Sequence, residues 1–177
     1  NDLGYFKSDI TGTFASLVEK NIVLCLKGVP TELQTIMSQL IVMKYHQHLL
    51  SKEPEHKFKS FLIFDECNRV RDTKGLEQLV RECRKYGLGI IFGSQYSSDL
   101  SEEVSGNLST RIFLQQKESQ RIKAMVSELT LENDQRANLQ SKAEMLGSSE
   151  GFFKKQGQVL EIYSKPYNDI SVKLDSG

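Results

Sequence analysis

Phe61-Leu62-Ile63-Phe64 is a run of four apolar residues that ends directly against two carboxylates, Asp65 and Glu66. So short and continuous a run predicts a strand buried on both faces, and its abrupt polar end puts the acids where the chain leaves the sheet. Open α/β sheets bind their ligands at that carboxyl edge. There, one acid can hold a cation through water and the next can orient or deprotonate an attacking water. Two acids on the solvated end of a strand also need no function, so the run weighs most when read with its neighbours.

Those neighbours alternate in type. Asn21 to Leu26 is an apolar, β-branched stretch read as a strand, broken by Lys27-Gly28-Val29-Pro30. A helix is expected from Thr31 to Leu50, with Leu33, Ile36, Met37, Leu40, Ile41, Lys44 and Tyr45 at helical spacing. Ser51 to Lys57, polar and interrupted by Pro54, reads as a surface loop before the strand Phe58 to Phe64. Asp72 to Tyr86 predicts a helix stopped by Gly87, followed by a strand from Leu88 to Phe92 that closes on Gly93-Ser94-Gln95. A short helix (Ser101 to Leu108), a strand (Thr110 to Leu114) and two helices (Ser119 to Leu129, Glu132 to Gln140) complete this part. Gly151 to Phe153, Gln158 to Tyr163 and Asp169 to Leu174 alternate apolar with polar, as antiparallel edge strands do. The pattern predicts an α/β domain with a mostly parallel sheet flanked by helices and antiparallel closing strands.

At 177 residues the chain suits one domain, 1–177. Lys plus Arg and Asp plus Glu number 23 each, so no net charge favours a free-standing nucleic-acid binder. Cys25, Cys67 and Cys83 form no CxxC pair and lie far in sequence from the histidines, and are read as buried reduced thiols of a cytoplasmic protein. No apolar run is long enough to cross a membrane. Opening on Asn1-Asp2-Leu3-Gly4 without Met, the chain reads as part of a longer protein.

Two further groups can be placed against the Asp-Glu pair. Gln95 ends the next strand, and adjacent parallel strands would bring it close to Glu66, where a side chain able to donate and accept could sense a phosphate. Arg81 and Arg84 close the intervening helix, where cations complement the dipole in any case. Either could instead reach a neighbouring subunit and stabilise transition-state charge. Lys117, Arg121 and Lys123, with Gln115, Gln116 and Gln120, could face DNA, although a solvated helix face accounts for them more simply. Tyr96 to Leu100 reads equally as a switch loop or as a plain capping connection.

The runs Phe61 to Glu66, Arg81 to Gln95 and Asn107 to Ile112, preceded by Ile22 to Gln34, resemble the HerA–FtsK family of ring-forming DNA translocases, most closely its HerA branch and the related conjugation ATPases. The likeness covers about residues 20 to 115. It implies the C-terminal part of a three-layer RecA-like P-loop NTPase core, using ATP and Mg²⁺. Asp65 would be the water-linked Mg²⁺ ligand, Glu66 the catalytic base, Gln95 the sensor and Arg84 a finger acting across the subunit interface, with Arg81 the lesser candidate. It also implies a homo-oligomer, a hexamer, on duplex DNA, with a nuclease or other defence or repair partner and no membrane. Repair, phage or plasmid defence and conjugation all fit such a motor. No Gly-x-x-x-x-Gly-Lys-Ser/Thr occurs in the sequence. Truncation of the phosphate loop is the expected reason, and the chain alone is then expected to be inactive. A non-catalytic assembly module on the same scaffold is the alternative, with a conjugation-type ATPase as a third reading.

Overall fold

The computed structural model describes residues 14–165 apart from 19, 72 and 74. The strand expected from Asp169 to Leu174 lies outside the described residues, as does the predicted helix start at Asp72. The chain divides between Asn107 and Leu108 into two compact units.

The first unit contains helices α1 (Phe14–Val18), α2 (Thr31–Leu50), α3 (Leu76–Glu82) and α4 (Glu102–Gly106), with strands β1 (Glu55–Phe64) and β2 (Tyr86–Phe92). The strands pair in parallel, from Ser60 opposite Leu88 to Phe64 opposite Phe92, after an irregularity between Glu55 and Ser60. The crossover between them runs through a 3-10 turn, Cys67–Val70, then α3 and a second turn, Cys83–Lys85. Side chains alternate across a sheet. One face, with Leu62, Phe64, Tyr86, Leu88, Ile90 and Phe92, packs on a core that includes Val42, Leu49, Val70, Leu76, Leu79 and Val104. The Phe64 and Phe92 rings stack at 5.3 Å, aligning the two strand ends.

The opposite face is open, with Phe61 57%, Ile63 64% and Ile91 45% exposed. The predicted two-sided burial therefore holds on one side only within the described residues. Asn21 to Leu26 was expected to be a strand and is not one; Ile22, Val23 and Leu24 are exposed. A segment whose backbone groups find no strand to pair with among the described residues cannot itself be a strand, whatever its β-propensity. Cys25 is correspondingly exposed rather than buried, while Cys67 is buried and Cys83 half-buried.

α2 starts and ends where the sequence predicts, but it turns a different face inward. Val42 and Leu49 are buried and Tyr45 packs beside them, whereas Ile36 and Leu40 are exposed. Apolar residues lie all round this helix, so periodicity cannot select the face and packing does. His46 Nε2 lies 3.4 Å from Glu82 Oε2, and Gln78 donates to the same carboxylate at 2.9 Å, fastening α2 to α3. The hydrogen bond from Gln78, then the one from His46, holds the Glu82 carboxyl below its ordinary range.

The second unit is a three-stranded antiparallel meander, β3 (Thr110–Leu114), β4 (Glu150–Lys155) and β5 (Gln158–Tyr163), with helices α5 (Ser119–Leu129) and α6 (Asn133–Met145). β3 pairs with β4 antiparallel, Ile112 opposite Phe153, so the strand read from Thr110 to Leu114 joins the closing set and not a parallel one. Gln156 and Gly157, both at positive φ, turn β4 into β5 as a two-residue hairpin. Ile122, Met125, Val126 and Leu129 of α5 pack on Phe152, the largest fully buried side chain among the described residues. No helix among the described residues is long and apolar enough to cross a membrane.

Candidate functional site

β1 delivers Asp65 and Glu66 to its carboxyl end as the sequence predicts, both exposed. Two backbone hydrogen bonds enclose them. Gly93 N–H donates to the Phe64 carbonyl at 2.8 Å, and Cys67 N–H donates to the Gly93 carbonyl at 2.9 Å. The acids thus leave the sheet from a point pinned to the end of β2, where a Cβ added at Gly93 would lie 3.5 Å from Asp65 Oδ1.

Glu66 sits in the left-handed region at φ 59 and ψ 68. For a residue with a Cβ this costs roughly 1–3 kcal/mol and persists only where the surroundings enforce it. The hydrogen bond from Cys67 to Gly93 supplies that enforcement. Arg69 Nη2 lies 3.4 Å from Glu66 Oε2, an ion pair within the 3-10 turn.

β2 ends beside this point, and Gln95 leaves it two residues beyond Gly93, exposed. Ser94 shapes the loop. Its Oγ lies 2.5 Å from both the Tyr96 carbonyl and Asp99 Oδ2, either of which can take its one proton, and it accepts from Tyr96 N–H at 3.0 Å, so Gln95 is the middle residue of a turn closed by a hydroxyl. A 3-10 turn, Ser97–Asp99, follows, in line with the plain connection. Burial pushes the Cys67 thiol up, the Ser94 hydroxyl pulls it back, and the Asp99 charge adds to the rise.

Arg84 and Arg81 are not brought to this edge. Arg84 lies in the turn Cys83–Lys85 and Arg81 in the last turn of α3, both exposed, at the amino end of β2. From Tyr86 to Phe92 the strand rises roughly 20 Å. Among the described residues neither arginine has an ion-pair partner. The parallel pair therefore groups Asp65, Glu66 and Gln95 at one edge and sets Arg84 at the other.

Sequence reasoning missed the left-handed Glu66, its pairing with Arg69, and the Ser94 hydroxyl. Only the last had a local signal, a serine two residues before an amide that it can accept. In the second unit, Arg121 pairs with Glu118 and Gln115 Nε2 donates to the Leu146 carbonyl, while Lys117 and Lys123 are exposed, which fits a solvated face. A cleft of about 310 Å³ there is lined in part by Arg111 and Lys154. Both are engaged, Arg111 with the Glu128 carboxylate and Lys154 with the Glu128 carbonyl.

Among solved structures the chain is similar to the bacterial conjugative coupling protein TrwB, with a TM-score of 0.58 and 14% identity over 70% of this chain and 36% of that one. It is also similar to VirB4 of Thermoanaerobacter pseudethanolicus, with a TM-score of 0.57 and 19% identity over 80% of this chain and 39% of that one. TrwB with ADP and Mg²⁺ matches at a TM-score of 0.57 and 15% identity, over 72% of this chain and 34% of that one. These likenesses establish the RecA-like P-loop ATPase fold, of which the chain spans little more than a third of each solved protein. No curated protein matches the sequence. A family model described as the Type IV secretion-system coupling protein DNA-binding domain matches residues 19–150, three quarters of the chain. The chain belongs to that family, within the FtsK–HerA-like P-loop ATPase superfamily.

Proposed function

We propose that this chain is the C-terminal portion of the ATPase core of an ATP-driven motor that moves along duplex DNA as a ring, a hexamer in the HerA manner. The observation that carries the reading is the grouping of Asp65, Glu66 and Gln95 at one strand edge, with Arg84 about 20 Å away at the other. A single subunit cannot bring Arg84 to its own acids along this strand, whereas a head-to-tail neighbour can present it.

Each residue then has one task. Asp65 holds Mg²⁺ through water; two exposed carboxylates are the hard oxygen donors that this ion takes alongside phosphate oxygens and water. Mg²⁺, when bound, offsets charge on the triphosphate. Glu66, exposed just past the end of β1, accepts the proton of the attacking water. Gln95 hydrogen-bonds the γ-phosphate or the water. Arg84 meets the charge that develops on the phosphoryl group of the neighbouring subunit, with Arg81 in support. The phosphate loop is absent from the sequence, so the 177 residues alone are expected to bind ATP weakly and not to turn it over.

The family match favours a second reading within this class, a coupling-type ATPase of a conjugation system. Placement in the HerA branch rests on the likeness of the four segments between about residues 20 and 115. ATP hydrolysis by the full-length protein is expected, and duplex DNA is expected to raise it. Absence of hydrolysis across several nucleotides and DNAs would sink the motor reading and leave a non-catalytic assembly module.

A further inference from the structure

The Glu66 carboxylate has one hydrogen-bonding and ion-pair partner among the described residues, Arg69, whose Nη2 lies 3.4 Å from Oε2. The Arg69 backbone N–H also donates to the Glu66 carbonyl at 3.4 Å, so main chain and side chain both tie the two residues together. The turn that carries Arg69 is anchored from beneath. Cys67 and Val70, on either side of it, are 0% and 2% exposed, and both belong to the core under the parallel strands. Cys67 N–H is held on the Gly93 carbonyl at 2.9 Å, and Thr73 N–H on the Val70 carbonyl at 3.0 Å. Arg69 therefore leaves a fixed stretch of backbone with its side chain 31% exposed, while that of Glu66 is 53% exposed.

We infer that Arg69 is a positioning residue for Glu66: its guanidinium, held on Oε2, fixes the orientation of the carboxylate and leaves Oε1 to accept from the attacking water. The Glu66 backbone is enforced, but a glutamate side chain keeps three torsions of its own, and at this exposure nothing else among the described residues restrains them. A base works best when a third group orients it. The guanidinium suits that task, because it carries donors and no acceptor, stays charged at any working pH and so cannot compete for the proton that Glu66 takes up. An exposed ion pair adds little net stability, so the effect of this one falls on rate and not on folding.

This inference rests on the reading of Glu66 as the base, and two arms of one experiment keep the two apart. In crystals of the full-length protein, the Glu66 side chain is expected to hold one conformer in wild type and more than one in Arg69→Met, which keeps the apolar stem and removes every donor. In hydrolysis assays Arg69→Met is expected to lose about tenfold in kcat, with KM for ATP within about twofold of wild type. Arg69→Lys is expected to stay within about threefold of wild-type kcat, since the contact is made through one nitrogen and a point charge can replace it. Added to Glu66→Gln, the Met change is expected to cost nothing more, because residues that act as a unit are not additive. A single Glu66 conformer in Arg69→Met would overturn the positioning role whatever the activity. A loss carried by KM would place Arg69 on the nucleotide, and a raised kcat would show that the pair restrains the base; either overturns the role. A wild type that hydrolyses nothing, or a Glu66→Gln variant at the wild-type rate, would overturn the base reading and this inference with it, and the assay shows that case before Arg69 is changed.

Discussion

Glu66→Gln in the full-length protein is expected to lose about 10²–10⁴-fold in kcat, the range for removal of a general base, with nucleotide affinity nearly unchanged. Gln keeps the length, the shape and one oxygen, but it cannot take up the proton of water at neutral pH. Steady-state hydrolysis beside nucleotide-binding titration separates loss of chemistry from loss of the site. Stability offers a second reading of the same position. Because Glu66 holds φ 59, Glu66→Gly relieves the left-handed cost and is expected to raise stability by about 1 kcal/mol while also losing activity. Thermal unfolding of the two variants would show it. A Gly variant less stable than wild type would mean that Glu66 contributes more through Arg69 than its backbone costs.

Gly87→Ala is expected to destabilise the protein by about 3 kcal/mol or more, by the mechanisms that give large single-site effects. Gly87 has φ +69, and a Cβ there would lie 2.2 Å from the Lys57 carbonyl oxygen of the facing strand. That oxygen is backbone, so no rotamer change relieves the contact; β1 would have to move away, where the strands already lose register between Glu55 and Ser60. For a chain of this size the loss corresponds to a Tm lower by roughly 6–12 °C. Gly106→Ala is the control. Nothing lies within 4 Å of its added methyl and its φ is not positive, so a change within about 1 kcal/mol is expected. Thermal unfolding of both variants checks the pair, and equal melting temperatures would show that the strand tolerates a Cβ opposite Lys57.

The same glycine shows where sequence reasoning reached its limit. Gly87 reads as a helix stop because glycine commonly ends helices, yet it lies inside β2, which begins at Tyr86. β1 likewise begins at Glu55, within the stretch Ser51 to Lys57 read as loop because it is polar and interrupted by Pro54. By contrast, Phe61 to Glu66 and Leu88 to Gln95 were legible, since a continuous apolar run with a polar end has few other ways to fold. Parallel pairing of those two runs then put the acids and Gln95 at one edge, as expected. The positive φ of Glu66 was not legible, because it arises from a bond between Cys67 and Gly93, residues 26 positions apart in sequence. Nor was the failure of Ile22 to Leu26 to form a strand, which depends on a neighbour and not on its own composition.

The most direct measurement is ATP hydrolysis, with duplex DNA present, by a one-to-one mixture of full-length Glu66→Gln and Arg84→Ala subunits. Each variant alone breaks every site in a ring, the first at the base and the second at the finger. In a mixed ring, a site needs its own Glu66 and its neighbour's Arg84. Random assembly therefore restores roughly a quarter of wild-type activity if the contacts run head to tail. Recovery to that level, with both single variants inactive, is the expected result. No recovery on mixing, or full activity of Arg84→Ala alone, would contradict a motor whose arginine works across the subunit interface.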